Sequence, residues 1–214
     1  MNMDINYPEE WNQLPRHERR KKIKLLRRQN EKQTRSLKKI ASIGLVLLAV
    51  PILFLSYKFF TRKSPEKIVF EQKVETVSLD GKVQEFPIEG RKHVSAKTVV
   101  SYKTNPPTSG DHLAEAESWG VYDKEISDKE AVHGLEHGGI WISYKDIDEG
   151  AVKILAEIGR ENPGSVIVSP RAANDTKIAV ASWGRLMKLD APDKALIQKY
   201  IATYINQGPE KLAN

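Results

Sequence analysis

The chain of 214 residues contains no cysteine. That absence removes disulfides, thiolate metal ligands and cysteine nucleophiles together. A domain working outside the cytoplasm must then be held by packing alone, which about 150 residues can do. Methionine is nearly as scarce: Met187 is the only one beyond the first few residues, which excludes a methionine-rich copper(I) site. Neither a G-x-S-x-G nucleophile elbow nor a glycine-rich phosphate loop occurs. No segment repeats, and no long stretch is of low complexity.

Charge is present but unevenly placed. Residues 1–60 hold thirteen of the 34 Lys and Arg and five of the 28 Asp and Glu, so that part carries +8 and residues 61–214 carry −2. Most of the bases lie between Arg16 and Lys39, and they are followed by "IASIGLVLLAVPILFLSYKFF", Ile40 to Phe60, in which Lys58 is the only charge. That run has about the length needed to cross a hydrocarbon core of roughly 30 Å, and Gly44 and Pro51 are tolerated in membrane helices. A cleaved signal peptide would carry a shorter apolar run of roughly 7–15 residues and a small-residue cleavage site. Because basic flanks stay in the cytoplasm, the sequence predicts a cytoplasmic tail over 1–39, a transmembrane helix over 40–60, a linker over 61–68 and an extracytoplasmic domain over 69–214, at the cell membrane. The acidic balance of that domain removes support for a nucleic-acid partner. The basic tail is placed to meet anionic lipid headgroups, or serves only to set topology.

Beyond residue 68 the pattern is mixed. Val74, Val77 and Leu79, then Asp80-Gly81, then Val83 and Phe86 predict a hairpin, and "RKHVSAKTVVSY" predicts further extended structure. "KTNPPTSGDHL" predicts a loop. Ser127 and Glu130 stand in capping-box spacing ahead of a short helix ended by Gly138. The rest predicts a strand at "GIWISY", a helix at "EGAVKILAEIGRENPG", strands at "SVIVSP" and "KIAVASWG", and a closing amphipathic helix with Leu196, Ile197, Tyr200, Ile201 and Tyr204 on one side. The interleaving lacks the regular repeat of a doubly wound sheet, so the fold class is α+β, one extracytoplasmic domain preceded by one N-terminal transmembrane helix. "NDT" at Asn174 is formally a glycosylation acceptor.

Histidine carries the functional signal. Of five, His17 lies in the tail and His93, His112, His133 and His137 in the domain. Positions four apart share a helix face, so His133 and His137 can offer two imidazoles to one transition metal, zinc or copper(II) being suited to such donors. A third ligand can come from His112, with His93 or Glu136 completing the set. Gly134 inside the helix costs roughly 1 kcal/mol relative to alanine, which predicts a close approach by a backbone or ligand. Two other readings stand beside metal binding. The histidines can be structural residues of a cell-envelope interaction or scaffold domain. Alternatively "HGLEH" matches the H-x-x-E-H pattern of inverted zinc peptidases, making Glu136 the base of a metal-dependent hydrolase, with Glu210 as late additional ligand.

"NPPTSGDH", "WGVYD", "VHGLEHGGIWISY" and "ASWGR" together resemble a bacterial family known as domain of unknown function 3105, over roughly His93 to the closing helix. The resemblance implies a secreted or membrane-anchored protein without an assigned reaction. Its motif positions fall on His112, His133, Glu136, His137 and Gly138, with His93 beside them. Asp111 stands where proline is common and Gly134 where a larger residue is common; the resemblance makes Asp111 a candidate carboxylate partner for His112.

Overall fold

The computed structural model of the chain describes residues 8–61 and 63–213; the side chains at 38, 41, 43–46 and 48 are not among those described. It divides into two compact units, Met1–Lys63 and Ser64–Asn214. The first is a 3-10 turn, Glu9–Gln13, followed by one long helix, α1, Arg16–Thr61, with Pro51 inside it. Among the described residues no helix is long and apolar enough to cross a membrane. The predicted span 40–60 falls partly on side chains outside the described set.

The second unit opens with α2, Pro65–Thr76. Here the predicted hairpin is corrected. "SPEK" is a helix start: Ser64 accepts a hydrogen bond from the Lys67 amide and Pro65 takes the first helical position. Val74 therefore lies in the last turn of a helix that begins inside the predicted linker. The Asp80-Gly81 turn does form, with Gly81 at φ 69°, but only β1, Val83–Glu85, follows it as a strand.

The sheet has six strands in the order β1-β6-β5-β3-β4-β2, with β2 at Gly120–Val121, β3 at Ile140–Tyr144, β4 at Val166–Pro170, β5 at Ile178–Ser182 and β6 at Arg185–Leu189. β3, β4 and β2 run parallel, whereas β5, β6 and β1 are added antiparallel. β6 was not predicted: "ASWGR" turns at Gly184, φ 71°, and returns as a paired strand. The remaining helices are α3, Asp128–Glu136, α4, Glu149–Glu161, and α5, Lys194–Tyr204, all at predicted places.

Alternation along the strands divides the core in two. Ile140, Ile142, Val166, Val168 and Val180 pack with Leu155 and Ile158 of α4 and with Leu196, Ile197, Tyr200 and Ile201 of α5. Trp141, Ile167, Ala179 and Ala181 point the other way and pack with Ala131, Val132 and Leu135 of α3. Fully burying a side chain such as Leu135 contributes about 1.5–3 kcal/mol, so the inner face of α3 is firmly seated. The α+β class is as predicted, and the sheet's second face is where the histidines meet. Asn174 is buried, its amide bonded to Ser143 Oγ and its oxygen to Arg171, so this side chain is committed to the core.

Candidate metal centre

Two segments build the site. The first is the loop after residue 86, which lies outside regular strands except at His93, whose backbone pairs in parallel with His112. The Val94 amide donates to the His112 carbonyl at 2.7 Å and the His112 amide to the Lys92 carbonyl at 3.0 Å. Asp111 does not serve His112: its carboxylate accepts from the Lys92 amide at 3.0 Å, pinning the neighbouring backbone. Gly110 sits at φ 129°, and a Cβ there would lie 2.7 Å from the Tyr102 ring. Only glycine permits this turn, and the turn aims the Gly110 carbonyl at His112 Nδ1, 2.8 Å away. Tyr102 donates to the Asp111 carbonyl; burial first, then Asp128, Asp111 and Glu89, raise its phenol pKa, keeping it a neutral donor.

The second segment is α3. Ser127 is its N-cap residue, but the predicted side-chain capping bond is absent; the first turn is held instead by Asp128, whose carboxylate receives two hydrogen bonds from Arg171 at 2.7 and 2.8 Å. Arg171 also donates to Asn105, at the head of the Pro-Pro loop, and to Asn174. One buried guanidinium thus fastens both ligand-bearing segments to the end of β4, a role for which planar bidentate Arg is suited. Gly134 makes no room for an ion or a backbone: a Cβ there would meet Ile167 and Trp119 side chains at 3.2 and 3.5 Å.

His93, His112, His133 and Glu136 each offer one donor atom, and these atoms lie within 4.8 Å of one another. A tetrahedral zinc with bonds of about 2.0–2.1 Å places its ligands about 3.3 Å apart. His112 Nε2 is 3.0 Å and His93 Nε2 3.9 Å from Glu136 Oε2, so small side-chain adjustments suffice. His112, His133 and Glu136 are buried, whereas His93 is half exposed.

Two details of bonding point to a cation. Because the Gly110 carbonyl can only accept, His112 Nδ1 carries the hydrogen, and in the neutral ring Nε2 presents a lone pair. That lone pair faces a carboxylate, another acceptor; a proton or a metal ion must reconcile them. A ligating histidine commonly donates its second ring N–H to a carbonyl in this way. Separately, His133 Nδ1 is buried with no hydrogen-bond partner. Burial, then repulsion by His137, His112 and His93, lowers the pKa of His133 below 6.5, against a weaker opposing pull from the Leu113 backbone. A neutral imidazole with an unpartnered buried nitrogen is in the state a metal requires.

His137 lies outside the converging group. Its ring packs on His133 at 4.4 Å between centroids, and its Nε2 is 3.1 Å from Glu210 Oε2. The tail carrying Glu210 closes over the end of α3: the amides of Glu210 and Leu212 donate to the carbonyls of Glu136 and His137. Hence Glu136 joins the donors and His137 stands aside, the reverse of their division of labour in the H-x-x-E-H pattern. Arg171, Gly110 and Trp183, whose ring meets His112 edge-on, were not singled out from sequence. Only the short spacing Gly110 to His112 offered a signal.

No curated protein and no solved structure gives a match to the chain. A family model described as protein of unknown function (DUF3105) matches residues 93–214, beginning at the first of the clustered histidines and including all of the converging donors. That match spans more than half of the sequence, and the chain belongs to the DUF3105 family.

Proposed function

We propose that this protein is a single-pass membrane protein whose domain outside the cytoplasm binds a transition metal ion, zinc or copper(II), through His93, His112, His133 and Glu136. The observation that carries the reading is the convergence of three imidazoles and a carboxylate from two segments, and the His133 ring among them has a buried, unpartnered Nδ1. Three nitrogen donors and one oxygen suit zinc and copper(II) alike. The bound ion would supply positive charge where His112 Nε2 and Glu136 now oppose each other. The membrane part rests on the apolar run 40–60 and its basic flank, which places the N-terminus in the cytoplasm and the basic tail against anionic headgroups.

A second reading, a cell-envelope interaction domain with structural histidines, is favoured by one fact: His112 and Glu136 already touch at 3.0 Å, as a protonated histidine and a carboxylate would. Metal analysis of the tag-free protein separates the two. The metal reading expects about one equivalent of zinc or copper retained after gel filtration and lost in His133→Gln. A protein that neither retains nor responds to either ion refutes it.

A further inference from the structure

The four donors differ in their access to solvent, and the difference assigns the direction of exchange. The side chains of His112 and Glu136 are 0% and 6% exposed, whereas that of His93 is 52% exposed. His93 Nε2 is also the more distant from the shared Glu136 oxygen, 3.9 Å against 3.0 Å. Its exposure is not looseness of the chain. The backbone on either side of His93 is bonded to that of His112, and Lys92 is further held by Asp111. The Cα is fixed, and the imidazole, in contact with the His112 and His133 rings on its inner side, faces solvent on the other.

Resting on the metal reading, we propose that His93 is the exchangeable ligand of this site and that the domain passes its ion to a nitrogen donor, such as a histidine of an acceptor protein, by substitution at that position. The incoming imidazole nitrogen forms a bond to the ion as the bond from His93 Nε2 breaks; no electron is transferred, and the displaced nitrogen takes back its lone pair. His112, His133 and Glu136 keep hold until the second and third donors of the acceptor arrive. An ion enclosed by four buried ligands would leave only by opening the fold, whereas here the first step is a side-chain rotation. The carboxylate and the two inner imidazoles confer retention, and His93 confers delivery.

The test uses the full-length protein in detergent, loaded with zinc or cobalt(II), with free L-histidine as acceptor. For the wild type the rate of zinc loss rises with histidine concentration. The exposed position makes His93→Ala a variant that folds. It retains one equivalent of metal, loses zinc at least about tenfold faster, on the scale of a weakened metal site, and in its cobalt form recovers the wild-type absorption spectrum when imidazole is added. His112→Ala binds no metal and is not rescued. If His93→Ala releases zinc at the wild-type rate, or binds none while the wild type binds, the exchange role is overturned and metal binding stands. If the wild type binds none of zinc, cobalt and copper(II), both fall.

Discussion

Replacing Glu136 by glutamine distinguishes a metal ligand from a structural ion pair. In the metal-free wild type, with Nδ1 donating to the Gly110 carbonyl, the His112 Nε2 lone pair and the Glu136 carboxylate, 3.0 Å apart, meet across one shared proton. A glutamine amide in the same place donates to that lone pair. The metal-free Glu136→Gln domain is therefore expected to lie within about 1 kcal/mol of the wild type, the usual net value of one hydrogen bond. Zinc then separates them. At free zinc equal to 100 times the dissociation constant, the wild type gains about 2.7 kcal/mol, or about 5–11 °C in Tm for a domain of this size. Loss of a charged ligand weakens binding by more than the 10–100-fold of an outer partner. With a hundredfold loss the same zinc gives about 0.4 kcal/mol, a shift near 1 °C. The assay is thermal unfolding of both proteins with chelator and with buffered zinc. If His112 is instead an imidazolium paired with Glu136, removing one partner of a buried pair costs about 3–5 kcal/mol without metal. A metal-free Glu136→Gln protein melting more than about 10 °C lower, with its zinc response unchanged, refutes the metal reading.

Arg171→Met removes the guanidinium that joins Asp128, Asn105 and Asn174; a loss of about 2–4 kcal/mol in urea unfolding is expected, at the low end for a buried pair because Asp128 is one-third exposed, together with weaker zinc binding. Equal zinc affinity in this variant would show that neither ligand segment depends on Arg171. Gly208→Ala puts a Cβ 2.5 Å from the Glu136 carbonyl oxygen and 2.7 Å from that of Leu135; the tail must lift, at about 1–3 kcal/mol, and proteolysis after Tyr204 should accelerate. His133 is expected to impose a pH dependence on the metal-free domain. Its folded pKa lies below 6.5, so the unfolded state binds the proton first and stability falls as the pH drops below 6.5 towards the folded value. The urea midpoint should decline in that window and be level above it, and His133→Gln should remove this contribution.

Much of the fold could be read because its signals are local. α4 shows apolar positions at Ala151, Leu155, Ile158 and Gly159, one face of a helix, and β3, β4 and β5 are short apolar runs buried on both faces. The errors came where local signals competed. Val77 and Leu79 alternate like a strand and Val74 precedes them, but Ser64 and Pro65 start a helix that absorbs Val74 before β1 begins. β6 escaped because "RLMKL" pairs on one side with β5 and on the other with the short β1, and partners are not a local property. The four residues whose donor atoms converge are all among the candidates the sequence offers, but the sequence puts His137 ahead of His93. Four-residue spacing is visible in a sequence, whereas the bridge that lays His93 beside His112 joins two turns nineteen residues apart.

The location of the supporting contacts bears on what an ion would do here. The His93 and His112 backbones are bonded to each other, α3 is held by Leu135 on one face and Arg171 at its start, and the tail satisfies the carbonyls at its end. None of these contacts uses a donor nitrogen or the Glu136 carboxylate. In zinc fingers the ion's binding energy is spent on folding and the chain is unfolded without it. Here other atoms of their own segments hold the donors in place, so the metal-free domain is expected to stay folded, and on the metal reading the binding energy would go almost entirely into affinity. On the metal reading, a site assembled in advance, with three buried donors and one facing water, would give up and regain an ion without disturbing the core.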